Sequence, residues 1–267
     1  MSPNRTILLG AGWKMNKTVS EAVEYVERLL ELLSKTHGIE HAQIFLIPPF
    51  TALDAVKKAS PEEWWVGAQN MHWEDCGAYT GEISAPMLCE LGVDLVELGH
   101  SERRQFFNED NIRVGWKVRS ALCHHLRPVI CVGESAEEKE FGAQKETVAR
   151  QLRIALESIE PSQAPHLIIA YEPVWAIGKN GRIVSPEYVL TMSGHIRSVL
   201  ASIVGTEGAS QTRIIYGGSV DECNAPQILL QGNVDGLFIG RAALRAENFA
   251  HLIELCLKAV AIQPSCE

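Results

Sequence analysis

Short apolar runs recur along the chain, at residues 7–9, 44–47, 64–66, 93–98, 129–132, 167–170, 214–216 and 237–239. Most lack polar alternation, which is the pattern of parallel strands covered on both faces. The stretches between them are mostly amphipathic. Ala22, Val23, Val26, Leu29, Leu30 and Leu33 trace one helical face, and Thr18 with Glu21 forms a capping box ahead of it. Ser185-Pro186 opens another helix, with a cap residue followed by proline at the first helical position. Strand and helix alternating eight times predict a (β/α)₈ barrel. An open doubly wound sheet is the competing architecture. It would normally place Gly-x-Gly-x-x-Gly after its first strand, whereas Gly10-Ala11-Gly12-Trp13-Lys14-Met15 lacks the third glycine.

Composition narrows the function. The 267 residues contain no linker, low-complexity tract or clear repeat, so one domain spanning 1–267 is expected. Apolar residues make up 46% and charged residues 21%, ordinary for an enzyme with a full core. With 24 basic and 33 acidic residues the net charge is −9, which argues against nucleic acid or an anionic membrane as partner. An anionic substrate then needs local help, from a lysine or from backbone amides. The seven cysteines at 76, 89, 123, 131, 223, 256 and 266 form no Cys-x-x-Cys pair. This pattern predicts reduced thiols in the cytoplasm, not a disulfide framework or a zinc site. Residues 1–6 are polar and run straight into a strand, so neither a signal peptide nor a membrane span is expected.

In a barrel of this kind, chemistry belongs at the carboxyl ends of the strands. The sixth run delivers Glu172 to such an end, followed by Pro173 and the glycine-bearing loop that includes Gly178. A rigid carboxylate beside a loop able to close suits proton abstraction next to a carbonyl, although many strand-end glutamates simply face water. Lys14 lies two residues past Gly12, either as an ordinary solvated lysine or as a partner for phosphate or enolate charge. His100 follows Gly99 at the end of the fourth run. It is either a hydrogen-bonded core histidine or a neutral imidazole, biased by a helix N-terminus, that donates to a substrate oxygen. Glu102 is placed to orient Lys14, and Arg103 and Arg104 serve equally well as structural ion pairs. Gly217-Gly218-Ser219 and Gly240-Arg241 end the seventh and eighth runs, where barrels usually bind phosphate. Gly-Gly-Ser alone is ordinary turn chemistry, but with Gly178 three loops offer amides to one anion.

Together these segments resemble triosephosphate isomerase from residue 7 to about 255. The resemblance rests on Trp13-Lys14-Met15-Asn16, Val66-Gly67-Ala68-Gln69-Asn70, Tyr79-Thr80-Gly81-Glu82-Ile83-Ser84, Leu98-Gly99-His100-Ser101-Glu102-Arg103-Arg104, Cys131-Val132-Gly133-Glu134, residues 170–178, and Ile215-Tyr216-Gly217-Gly218-Ser219-Val220. It implies a single-domain (β/α)₈ TIM barrel, a cofactor-independent and metal-free isomerase that works through a cis-enediolate. By that resemblance Glu172 moves the proton, His100 polarises the substrate oxygens and Lys14 stabilises negative charge, with Ser101 and Glu102 in support. Gly178, Ser219 and Gly240 hold the phosphate, and the loop after Glu172 is the lid. A homodimer is implied, with Thr80 reaching toward the partner's site.

Three departures bear on the substrate. The asparagine usual two residues before the lysine is Gly12, the usual Gly-Gly of the eighth turn is Gly240-Arg241, and the lid, residues 178–186, is one residue longer. A side chain lost at Gly12 predicts room for one extra CH₂OH. These changes resemble the branch that interconverts L-erythrulose 1-phosphate and D-erythrulose 4-phosphate, an erythritol-degrading step. Ordinary triosephosphate isomerisation, a glycolytic step, is the alternative, and a non-catalytic sugar-phosphate-binding barrel a remote one. Arg241 points either into the site or away from it.

Overall fold

All eight apolar runs are strands in the computed structural model, which describes residues 6–178 and 181–261. They are β1 (Ile7–Gly12), β2 (Ala42–Ile47), β3 (Trp65–Ala68), β4 (Leu95–Leu98), β5 (Arg127–Val132), β6 (Ile168–Tyr171), β7 (Arg213–Tyr216) and β8 (Gly236–Ile239). Each strand pairs in parallel with the next, and β8 returns to β1 in the register Leu8↔Gly236 to Ala11↔Ile239. The sheet is therefore a closed single-domain barrel, not an open doubly wound layer. Strand β4 begins two residues later than its apolar run. Asp94 is used instead as a clamp: its Oδ2 accepts from the Val66 N–H at 2.8 Å and from Lys57 Nζ at 2.6 Å.

Closure fixes where every strand residue points. Leu8, Phe45, Ile47, Leu95, Val129, Ile168, Ile215 and Phe238 pack inside the barrel, while their neighbours Leu9, Ile44, Leu46 and Val96 pack against the helices. Side-chain sizes interlock across this interior. A Cβ built on Gly10 would lie 1.9 Å from the Phe45 ring, so the large residue on β2 needs glycine on β1. Outside, the helix Val19–Leu33 starts with the Thr18 N–H donating to the Glu21 carboxylate at 2.7 Å. It buries Ala22, Tyr25, Val26, Leu29 and Leu33, while Val23 and Leu30 sit at the edges of that face. Tyr25 belongs to the buried stripe because its hydroxyl finds an acceptor, Ala243 O, at 2.7 Å. The helix Pro186–Gln211 is capped by Ser185, whose Oγ accepts from the Tyr188 N–H, and it breaks at Gly205, where φ is +77°. No helix among the described residues is long and apolar enough to cross a membrane.

A buried polar knot ties together the loops that carry the site. Lys117, on the helix Asn111–Cys123, donates to the Glu109 carboxylate and to Asn70 Oδ1 at 2.9 Å, and Arg103 Nε stands 3.6 Å from the other Glu109 oxygen. Lys117 and Glu109 are both buried, so neither charge can be left to water. Lys117→Met, which keeps the volume but strands the Glu109 charge, is expected to lower unfolding free energy by about 3–5 kcal/mol. Urea denaturation followed by circular dichroism checks it.

Candidate active site

Glu172 is the first residue past β6. Its N–H donates to Val132 O at 2.8 Å, which carries the β5–β6 ladder one bond further. Two glycines make room for it. A Cβ on Gly133 would sit 1.9 Å from Glu172 O, and one on Gly217 would sit 2.7 Å from Glu172 Oε1. The carboxyl is almost completely buried and its Oε2 has no hydrogen-bond partner among the described residues. Burial pushes its pKa well above the ordinary carboxylate range. Glu97, when ionised, pushes the same way, and the Lys14 ammonium opposes it.

His100 caps the short helix Ser101–Phe106, its Nδ1 accepting from the Glu102 N–H at 3.1 Å. That bond leaves the ring proton on Nε2, which lies 3.5 Å from Glu172 Oε2. Burial, seconded by the charge of Lys14, lowers the imidazole pKa to about 4, so the ring is neutral at physiological pH. Lys14 stands across the pocket mouth, its Nζ donating to Glu102 Oε1 at 2.7 Å. Its φ of +52° lies in the left-handed region, a strain of about 1–2 kcal/mol for a residue with a Cβ. Gln69 holds the strained turn, its Nε2 donating to Lys14 O at 2.8 Å.

These three side chains border one cavity of about 500 Å³. The opposite wall comes from three loops: Gly178 after β6, Gly217 to Ser219 after β7, and Gly240 with Arg241 after β8. Arg241 is exposed and lines the rim of the cavity, with no ion pair among the described residues. Gly12 lines the floor. Ser101 borders a separate narrow cleft behind Glu172, and Thr80 lies at an exposed loop away from this chain's pocket. Within the lid, Lys179 and Asn180 lie outside the described residues.

The near end of the lid is firmly anchored. The buried Glu134 carboxylate accepts from the Tyr171 hydroxyl at 3.0 Å, from Trp175 Nε1 at 2.8 Å and from the Tyr188 hydroxyl at 2.8 Å. Lys139 Nζ sits 3.3 Å from the centroid of the Trp175 ring.

A carboxylate, a neutral imidazole and an ammonium facing three glycine-rich loops match the constellation that the sequence motifs suggested. The family model for triosephosphate isomerase matches residues 7–256. The chain belongs to the triosephosphate isomerase family. Relatives include an L-erythrulose-1-phosphate isomerase of Mesorhizobium japonicum, 44% identical over 92% of this chain and 95% of that protein. The triosephosphate isomerases of Alkaliphilus oremlandii and Caldanaerobacter subterraneus subsp. tengcongensis are 41% and 42% identical, each over 93% of this chain and 99% of theirs. The protein is accordingly an isomerase of the intramolecular oxidoreductase class.

One expectation from the sequence is corrected. Gly12 does not leave a void, because a Cβ there would lie 2.9 Å from Phe238 Cζ. The ring of Phe238, projecting inward from β8, already fills the volume that the asparagine side chain vacates.

Among the pocket residues that escaped the reading of motifs are Phe238 and Glu97. Alternation along β4 was the available signal. Leu95 packs inside the barrel and Val96 and Leu98 outside, so Glu97 must point inward. Glu97 Oε1 accepts a long contact from Cys131 Sγ at 3.8 Å. Donor atoms of Glu97, Cys131 and Glu172 all lie within 4.8 Å of one another, the one such grouping of ligand-type side chains among the described residues. Burial raises the Cys131 thiol, and the two carboxylates beside it raise it further, so the group stays protonated. Burial lifts Glu97 from its ordinary value near 4.5 to about 8. Below about pH 4.5 folded and unfolded chains both hold this proton; between there and about 8 only the folded chain does, so stability falls as pH rises. Glu97→Gln removes that loss. Its melting temperature relative to the parent is expected to climb by about 3 °C or more between pH 5 and pH 8.5, then level off, as scanning calorimetry can show.

Proposed function

We propose that this protein interconverts L-erythrulose 1-phosphate and D-erythrulose 4-phosphate through a 2,3-enediolate. The observation that carries the chemistry is the unpartnered Glu172 carboxylate 3.5 Å from a neutral His100 ring, at the edge of a cavity into which three glycine-bearing loops open. Glu172 takes the proton from the carbon bearing hydroxyl and CH₂OH. The electron pair moves into the new C=C bond and onto the neighbouring carbonyl oxygen, which His100 Nε2–H and the Lys14 ammonium stabilise. The hydroxyl proton passes to the neighbouring oxygen by way of His100, the abstracted proton returns to the adjacent carbon, and the carbonyl has moved by one position. Gly178, Ser219 and Gly240 hold the phosphate through backbone amides, with Arg241 adding charge at the rim.

The choice of a four-carbon substrate rests on the chemistry of the pocket floor, not on its volume. The family's asparagine amide is absent, Gly12 and Phe238 line its place, and Glu97 adds a carboxyl elsewhere on the cavity lining. The 44% identity to an L-erythrulose-1-phosphate isomerase supports the same choice. kcat/KM for L-erythrulose 1-phosphate is expected to exceed that for dihydroxyacetone phosphate by at least about tenfold, the discrimination one such group allows. Product formed in heavy water should carry deuterium on the reacting carbon. A preference for the triose favours the triosephosphate isomerase reading, and a direct hydride transfer without label removes Glu172 from its role.

The active form is a homodimer. Residues 74–82 form an exposed loop after β3, Met15 is 95% exposed beside Lys14, and Phe106 and Phe107 are each 65% exposed. Large apolar side chains exposed to this degree call for a cover, and a second copy is the economical one. Sedimentation is expected to give about twice the chain mass of 29.4 kDa; a lone 29.4 kDa species at micromolar concentration contradicts it. The six described cysteines are all free, which supports a reducing compartment such as the cytoplasm.

A further inference from the structure

A carboxyl group inside a barrel needs a reason. Glu97 is 7% exposed and points into a barrel interior whose buried cluster is apolar, with Leu95, Val129, Ala170 and Phe238 among its members. Its only hydrogen-bonding neighbour among the described residues is the Cys131 thiol, a weak donor at 3.8 Å. The Lys14 ammonium, the nearest cation acting on it, is already paired with Glu102. A buried polar group left this poorly satisfied costs stability. The residue nevertheless lines the active-site cavity, with a carboxyl oxygen within 4.8 Å of the Glu172 carboxyl.

We propose that Glu97 is the residue that recognises the substrate's fourth carbon, hydrogen-bonding the hydroxyl of the CH₂OH group carried by the reacting carbon. This rests on the tetrulose-phosphate reading given above. Glu172 must approach the hydrogen on that carbon, so a hydroxyl two bonds away falls within the reach of a side chain this close to Glu172. The floor offers it no asparagine amide, since Gly12 has no side chain and Phe238 occupies that space with a ring. Glu97 holds a proton at neutral pH because burial raises it to about 8, so it can donate as well as accept. A proton held by either of the two neighbouring carboxyls spares the other a like charge. A triose lacks the hydroxyl, so with that substrate the carboxyl remains unsatisfied. That asymmetry is what allows a buried polar group to discriminate between substrates differing by one hydroxyl.

The test compares kcat and KM of the parent, Glu97→Gln and Glu97→Leu with L-erythrulose 1-phosphate and dihydroxyacetone phosphate, after melts confirm that each variant is folded. Glu97→Gln, neutral and similar in shape, is expected to keep the tetrulose preference within about threefold, and Glu97→Leu to lower it by about 10- to 100-fold, chiefly through KM for the tetrulose. Equal losses on both substrates, or an unchanged ratio in the leucine variant, overturn the assignment of Glu97 while leaving the substrate reading intact. A parent enzyme that prefers the triose overturns the substrate reading itself, and this inference with it.

Discussion

Withholding water from the Glu172 carboxyl is the constraint on which the site depends. An open sheet leaves strand ends at its margins solvated, whereas a parallel sheet that closes on itself brings eight ends into one ring. The inner layer of that ring excludes solvent with Phe45, Ile47 and Phe238. Everything near the carboxyl is arranged around this exclusion. Gly133 and Gly217 give it space, His100 arrives already neutral, and the positive charge of Lys14 stands at the mouth and not in the interior. The burial that makes this carboxyl expensive is also what lifts its pKa out of the ordinary range.

The loops around the ring hold their shape through polar contacts that the strands do not supply. Lys117 joins Asn70, in the loop after β3, to Glu109, past the helix Ser101–Phe106, and Gln69 secures the left-handed turn at Lys14. Arg104 does similar work with neutral partners, donating to Gly99 O and Cys131 O. It therefore reads as a brace between β4 and β5 more than as half of an ion pair.

Much of this was legible in the sequence, and the part that was not has a common cause. Buried parallel strands announce themselves as unbroken apolar runs, and residues that end them, such as Glu172 and His100, stand out by contrast. Glycine and proline marked the loops. Inward and outward directions within a short strand are harder to read when both faces are apolar. Glu97 sat inside such a run, and Phe238 looked like any other core aromatic. The error over Gly12 has the same origin: a deleted side chain reveals nothing about which neighbour from another strand moves into its place. Contacts such as Phe238 with Gly12 span more than 200 positions and depend on barrel closure, which no local pattern encodes.

Glu134 unites three segments that are distant in function: the strand bearing Glu172, the first turn of the loop that follows it, and the helix on which that loop lands. Trp175 and Tyr188, on either side of the loop after β6, thus share one carboxylate as their anchor. A loop whose two ends share an anchor has less chain to order on closing than one held at neither end.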